Sequence, residues 1–189
     1  MTIYGLIEDF NHLLFTRLND KNNRISVSRN GKFMIDKADI KSLIQTIPWL
    51  MDLSDDQTKE LEKISGNLIL SEGEILYKEG DKDNLLYIVS EGSLAVEIFV
   101  PGRGQVRLYN ADPLDIIGWD SMTPVARSRI TTITALKKCN IIYFDGSALT
   151  ELCENDKDLG YVIMRRLSNV IASRMLAMRL KLIDLFMQK

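Results

Sequence analysis

The spacing of apolar residues along this chain changes several times, and each change predicts a different kind of element. Residues 1 to about 20 place apolar side chains at helical steps of three and four, and the polar run Asn19-Asp20-Lys21-Asn22-Asn23 ends that pattern. Residues 25–35 contain Asn30-Gly31, a favourable two-residue turn, and predict either a short hairpin or an adaptable loop. We therefore treat residues 1–45 as an N-terminal extension with helical character.

Two further helices are predicted before the pattern becomes β-like. Residues 38–48 have helical spacing. Ser54, followed three residues later by Gln57, forms a capping-box pattern that begins another helix. This helix is predicted to run to about Ser65, where Gly66-Asn67 should stop it.

From Leu68 to Phe144, short β-rich runs alternate with glycine or turn residues. Several short strands at 8–12-residue spacing are typical of an antiparallel sandwich or barrel, and no βαβ alternation is present. The predicted strands are Leu68–Leu70, Ile75–Tyr77, Leu85–Val89, Ser93–Val100, Gln105–Tyr109, Ile130–Leu136 and Asn140–Phe144.

The C-terminal part is predicted to be helical, with a short helix from Gly146 and a long one from Asn155-Asp156. At ~1.5 Å per residue the long helix would measure about 45 Å, more than a small barrel can cover. One stripe along it is apolar: Gly160, Met164, Leu167, Ile171, Met175, Met178, Leu182 and Leu185. The stripe either packs on the chain's own barrel or, as we expect, pairs with the same helix of a second copy.

Composition narrows the possible functions. The 189 residues suggest one domain with an appendage, and 24 basic against 26 acidic residues give a net charge of −2, which argues against bulk binding to nucleic acid.

Cys139 and Cys153 lack metal-like spacing and fit a reducing compartment. No signal peptide or apolar run of about 20 residues occurs, so we expect a cytoplasmic protein without membrane contact. His12 is the only histidine, so we expect no metal cluster built from several histidines.

The most informative segment lies between two strand-like runs. Gly118 opens a short turn or helix, and Arg129 enters a threonine-rich strand about ten residues later. Backbone N–H groups at such a turn, together with a guanidinium aimed back at them, make a site for one phosphate-like anion. Trp119 follows the glycine directly; it is a stacking platform, a plug of the pocket or a core residue.

The order of these motifs resembles the cyclic-nucleotide-binding domain, the effector half of bacterial catabolite-activator-type regulators. The resemblance covers about Trp49 to Phe186. It rests on Gly73–Tyr77 with Glu79-Gly80-Asp81, on Tyr87–Leu94, on Gly118 with Arg129–Leu136, and, for a bacterial Gly-Trp subgroup, on Gly118-Trp119 with Leu159-Gly160-Tyr161.

The resemblance implies a mainly β fold with flanking helices over residues 46–189. This would be a cyclic-nucleotide-binding-like antiparallel β-barrel or jelly roll (double-stranded β-helix) with a long C-terminal helix. It also implies a small-molecule-sensing regulatory domain, not an enzyme, that acts through a homodimer helix on an unknown partner protein. In relatives that regulate transcription a helix-turn-helix domain follows the long helix. Here the chain ends at Lys189, so direct DNA binding is not expected.

The same resemblance supplies candidate site residues. In the family a glutamate after the glycine accepts from the ribose 2′-hydroxyl and an arginine pairs with the cyclic phosphate. Trp119 replaces that glutamate, which costs a bound nucleotide about 1–3 kcal/mol. Counting back from the strand places Arg129 at the arginine position, whereas counting forward favours Arg127. The predicted ligand-binding residues are Gly118, Trp119, Asp120, Ser121, Arg127, Arg129, Thr131 and Thr132.

The implied ligand is cyclic AMP, cyclic GMP or another small anion, and no metal is implied. The alternative is that the segment Gly118–Thr132, which we call the cassette, is degenerate. In that case Arg129 pairs with Asp120 or a neighbouring carboxylate, nothing binds, and the fold serves as a dimeric interaction or scaffold protein. The residues predicted to form the dimer helix are Met164, Leu167, Ile171, Met175, Met178 and Leu182.

Overall fold

A computed structural model of the chain describes residues 26–27, 33–34, 38–123 and 128–187. Within these ranges the strands are β1 (Ser26–Val27), β2 (Phe33–Met34), β3 (Ser65–Leu70), β4 (Ile75–Tyr77), β5 (Leu85–Glu91), β6 (Leu94–Val100), β7 (Gly104–Ala111), β8 (Ile116–Ile117), β9 (Thr132–Ala135) and β10 (Cys139–Asp145). The helices are α1 (Ala38–Gln45), α2 (Asp55–Lys63), α3 (Gly146–Asn155) and α4 (Lys157–Met187), with 3-10 helices at Pro48–Leu50 and Trp119–Met122. The helix predicted for residues 1–20 lies outside the described residues.

The strands form two sheets in which every described pairing is antiparallel. One sheet has the order β1-β2-β3-β10-β5-β8 and the other β4-β9-β6-β7. Together they make a jelly roll, with α1 to α4 packed around it. The predicted antiparallel β fold with a long C-terminal helix is confirmed.

The core has two layers because the central strands are apolar on both faces. Along β5, Leu86 and Ile88 face a cluster shared with the helices, whereas Tyr87 and Val89 face the interior of the jelly roll. Successive side chains along a strand point to opposite faces of the sheet, so a strand that is covered on both faces contributes alternate residues to the two clusters. The five consecutive apolar residues Leu85–Val89 are therefore a strand buried on both sides.

The predicted capping box begins α2. The Ser54 hydroxyl accepts from the Gln57 backbone N–H at 3.2 Å, and the Gln57 side chain accepts from the Ser54 N–H at 3.0 Å. The other end was predicted wrongly, because Gly66 and Asn67 belong to β3 rather than to a turn. A Cβ on Gly66 would lie 2.3 Å from Cζ of Tyr143 on the neighbouring strand. The glycine therefore makes room for a ring across the sheet.

Two strand boundaries also differ from the prediction. The strand predicted from Ile130 begins at Thr132, because the chain before it turns Arg129 inward and leaves Ile130 46% exposed. The two-residue strand β8 was not predicted; it is too short to show a period and forms only because β5 pairs with it. β1 and β2 pair antiparallel, as a hairpin requires, although the turn between them lies outside the described residues.

Helix α4 contacts the core through its first half only. Leu159, Ile163, Leu167 and Val170 are buried at helical spacing and pack with α1, α3 and the sheet. Of the predicted dimer stripe, Leu167 thus belongs to the chain's own core, Ile171 is half-buried and Met164 is 45% exposed. Beyond Val170 the large apolar side chains that are exposed, among those the structure describes, are Met175, Leu176, Met178, Leu180, Leu182, Ile183, Phe186 and Met187. Among the described helices none combines the length and apolar character needed to cross a bilayer.

The two faces of α4 should respond differently to truncation. Leu167→Ala leaves a cavity in the core and is expected to lower the free energy of unfolding by about 2–5 kcal/mol. Met164→Ala, one turn earlier on an exposed position, should cost less than about 1 kcal/mol. Urea unfolding followed by circular dichroism measures both variants. Equal losses would show that α4 does not pack as described.

Candidate functional site

Gly118 connects β8 to the 3-10 helix in a conformation that requires glycine. Its φ is 71°, in the left-handed region. A Cβ at this position would lie 2.7 Å from the carbonyl oxygen of Leu85 and 2.8 Å from Nη1 of Arg129. The predicted glycine therefore lets the chain turn while the Arg129 guanidinium lies directly against its backbone.

Arg129 is the centre of the site and is 2% exposed. Its Nε donates to Asp83 at 3.0 Å, and Nη1 donates to Asp120 at 2.6 Å and to the Gly118 carbonyl at 3.2 Å. Nη2 donates to Asp83 and, at 2.5 Å, to the Leu85 carbonyl. A guanidinium carries five N–H donors, and these five bonds use all of them.

Two tyrosine rings complete the surroundings of the guanidinium. The Arg129 Cζ lies 4.4 Å from the ring centroid of Tyr77 and 5.6 Å from that of Tyr87. Burial by itself would lower the pKa of Arg129, but its hydrogen bond to Asp83 and the charges of Asp83 and Asp120 raise the pKa above its ordinary value. The arginine therefore stays charged within a packed site.

This arrangement is poorly suited to an added anion. Arg129, Asp83 and Asp120 together carry a net charge of −1. A phosphate that took donors from Arg129 would leave a carboxylate without its partner, and an unpaired buried charge costs about 3–5 kcal/mol. The pairing of Arg129 with Asp120 and a neighbouring carboxylate corresponds to the degenerate arrangement considered above.

Two cavities flank this network. The first, of about 30 Å³, lies between the jelly roll and α4 and is lined by Tyr77, Val96, Tyr109, Ile117, Gly118, Trp119, Asp120, Ile130, Thr131, Ile133, Arg174 and Met178. The second, of about 120 Å³, is polar and is lined by Lys82, Asp83, Asn84, Asp120, Ser121, Ser128 and Arg129. Arg129 lines the second cavity and not the first, so the predicted anion-binding residue lies behind the wall of the pocket that contacts α4.

The remaining predicted site residues divide between the two cavities. Trp119 is half-buried, lines the first cavity and also packs on the helical core. Ser121 lines the second cavity, and Thr131 lines the first and forms a side-chain hydrogen bond with Tyr77. The Thr132 hydroxyl instead accepts from the Glu79 N–H at 3.0 Å, which ties β9 to the loop between β4 and β5. Arg127 lies outside the described residues.

Several residues of the site were not predicted from the sequence. Asp83 lies in a loop with no motif of its own and meets Arg129 across 46 residues of chain. Arg174 lies on α4, outside the segment from which the site residues were predicted. Its Nη2 lies 2.8 Å from Oδ1 of Asp115, and its Cζ lies 4.0 Å from the Tyr109 ring centroid. Among the described residues, no group of three or more His, Cys, Asp or Glu side chains is arranged to hold a metal ion.

The fold and the site define a β-jelly-roll domain with a buried cassette arginine and a long C-terminal helix. Residues 68–156 match the family model of the cyclic nucleotide-binding domain. A search of curated proteins found none that matches the chain.

Solved structures share the fold at low sequence identity. A putative cyclic nucleotide-binding protein from Geobacter metallireducens is 22% identical, with a TM-score of 0.61 over 71% of this chain and 97% of that one. The sensor domain of the transcriptional regulator DNR from Pseudomonas aeruginosa is 17% identical, with a TM-score of 0.61 over 74% and 93%. The regulatory domain of Toxoplasma gondii PKA with cAMP is 15% identical, with a TM-score of 0.58 over 70% and 50%.

The network around Arg129 should be important for stability. Arg129→Met leaves Asp83 and Asp120 without a cation and is expected to lower the free energy of unfolding by about 3–5 kcal/mol. Adding Asp120→Asn should recover part of this loss, because it removes one unpaired charge.

The matched control is Arg165→Met on the exposed face of α4, expected to change stability by less than about 0.5 kcal/mol. Chemical denaturation measures all three variants. An Arg129→Met protein as stable as the control would contradict a buried, fully paired guanidinium.

Proposed function

We propose that this chain is a small-molecule-sensing regulatory domain in which occupancy of the first cavity changes the position of α4. The helix would then act through a homodimer on a partner protein. One observation carries the proposal: the cavity is lined by Arg174 and Met178 of α4 as well as by strands of the jelly roll. Any molecule in this cavity touches the helix directly.

The cavity of about 30 Å³ is small compared with ligand pockets of roughly 300–1,000 Å³. A ligand that enters must therefore displace side chains that now fill the space. Arg174 and Met178 are the candidates on the helix side, and both follow the last buried residue of α4, Val170. Ligand entry would thus be coupled to the half of α4 in which no described residue is buried. A ligand shifts a conformational equilibrium when it binds one position of such an element better than another.

A second copy of this chain is the proposed occupant of the exposed apolar surface of α4. Met175 is 68% exposed and Leu182 is 54% exposed. Contiguous apolar surface of this kind marks interaction sites, and a helix paired with its own copy forms a closed two-fold dimer. Met178 both lines the cavity and lies on this surface, so it connects ligand entry with dimer packing.

The family supports a regulatory role rather than a catalytic one, since the comparable structures include a sensor domain and a regulatory domain. Cyclic AMP or cyclic GMP remains a candidate ligand because residues 68–156 match the family model of the cyclic nucleotide-binding domain. The unpaired cysteines Cys139 and Cys153 agree with a reducing compartment, and we place the protein in the cytoplasm.

A ligand-free interaction protein is the second candidate, and one observation favours it. The five N–H donors of Arg129 are all used within the chain, so the family's phosphate-binding residue has nothing left to offer a nucleotide. Under this alternative the side chains of Trp119 and Arg174 always occupy the space that a ligand would need.

Fluorescence and hydrogen exchange together separate the two candidates. In a Trp49→Phe variant, Trp119 is the one remaining tryptophan and reports on the cavity. A compound from a set of cyclic AMP, cyclic GMP, cyclic dinucleotides and small acids should alter its emission. The same compound should change amide exchange in residues 171–187 and leave α2 unchanged. If α4 exchange stays constant at saturating ligand, sensing through the helix is wrong; if no compound alters Trp119, the ligand-free protein is favoured.

The dimer is tested by placing charge on the exposed surface of α4. We expect the wild-type protein to sediment as a dimer at micromolar concentration. Met175→Glu and Leu182→Glu should each shift it to monomer, because they put unpaired carboxylates into an apolar interface. Ser173→Glu, an exposed polar position on the same helix, is the control and should remain dimeric. A wild-type monomer at 100 µM or more would exclude the proposed dimer.

A further inference from the structure

We propose that Arg174, and not Arg129, binds the acidic group of the ligand, and that the ligand is a small aromatic carboxylic acid. The inference rests on the proposed function, since it names the ligand class of the same cavity. It follows from the difference between the two arginines and from the composition of the cavity wall.

The two arginines differ in how many of their donors are already used. Arg129 contacts two carboxylates and two carbonyls and does not line the first cavity. Arg174 lines that cavity, and the contacts found for its guanidinium are the ion pair with Asp115 and the stacking and hydrogen bond with Tyr109. Its Nε is buried without a hydrogen-bond partner. Arg174 therefore lines the cavity that a ligand would enter and has a donor that the chain does not use.

The ion pair of Arg174 can be exchanged at low cost. The side chain of Asp115 is 34% exposed and that of Arg174 is 18% exposed, so a released Asp115 carboxylate meets water. Its other oxygen, Oδ2, keeps the hydrogen bond from the Asp112 N–H at 3.0 Å. A carboxylate on a ligand would take the place of the Asp115 carboxylate on the guanidinium. Such a pair is favourable because the planar guanidinium can donate two parallel hydrogen bonds to a carboxylate.

The walls of the cavity indicate the rest of the ligand. Tyr77, Tyr109 and Trp119 supply aromatic surface, and the valine and isoleucine residues Val96, Ile117, Ile130 and Ile133 supply aliphatic surface. A flat apolar ring suits such walls. Among the described lining residues Arg174 is the one cation, and Asp120 lies on the same wall, so a single negative charge is favoured over a phosphate dianion.

The inference is tested by calorimetric titration of the full chain with benzoate, phenylacetate and indole-3-acetate. Benzamide serves as the uncharged equivalent of benzoate. We expect at least one acid to saturate the protein, and Arg174→Met to weaken its binding about tenfold or more. Arg165→Met on the same helix is the control and should leave binding unchanged.

Asp115→Asn distinguishes ligand binding from a merely structural role. Both Arg174→Met and Asp115→Asn break the same ion pair, so a structural effect would move affinity in the same direction in both variants. If the acid competes with Asp115 for the guanidinium, Asp115→Asn should instead strengthen binding, by about two- to fivefold. Opposite changes in the two variants support the inference, and parallel changes overturn it.

Three other outcomes would also overturn the inference. The first is no saturation by any of the acids at 10 mM, and the second is equal binding of benzamide and benzoate. The third is loss of acid binding in Arg127→Met while Arg174→Met binds normally. Failure here is distinguishable from failure of the proposed function. If cyclic AMP changes amide exchange in α4 and binds Arg174→Met as well as wild type, the proposed sensing function stands and the aromatic-acid inference is wrong. If an acid binds through Arg174 without changing exchange in α4, the inference stands and the proposed sensing function is wrong.

Discussion

The relative positions of several segments of this domain depend on the hydrogen bonds of one buried guanidinium. Arg129 joins the loop that carries Asp83, the end of β8 and the 3-10 helix that carries Asp120. Its backbone adds two more links, since its N–H donates to the Asp81 carbonyl and its carbonyl accepts from the Gly80 N–H, both at 2.8 Å. Because a buried charge must be fully paired, these segments are held in one relative position.

The same pairing determines what the site can bind. A cassette arginine binds an external anion only if some of its donors face the pocket. Here every N–H of Arg129 is satisfied by the chain, and Trp119 lines the first cavity. The chemistry that remains at the first cavity is aromatic and aliphatic, with Arg174 as the cation on its α4 side. Arg129 is thus part of the framework of the fold, whereas the first cavity beside it is lined by residues of α4.

Helix α4 joins the pocket to a surface of the molecule. Its first half is fixed by core contacts at Leu159, Ile163 and Leu167, and its second half carries exposed methionine, leucine, isoleucine and phenylalanine side chains. The transition between the two halves falls at Arg174, where an ion pair and a tyrosine ring hold the helix to the jelly roll.

Much of this structure follows from the sequence alone. Local patterns determine local structure, so the capping box at Ser54, the strand runs between Leu85 and Val100, and the start of the long helix near Asp156 were all predicted. Gly118 and Arg129 were identified because their spacing resembles a known cassette. The tertiary structure decided the rest. Gly66 belongs to a strand because of Tyr143, Arg129 is saturated because Asp83 reaches it from another loop, and Arg174 is a pocket residue because α4 crosses the jelly roll at that point. A buried donor bonds to whichever acceptors the fold brings close to it. Those acceptors lie far away in the sequence, so the spacing of residues within one segment cannot predict them.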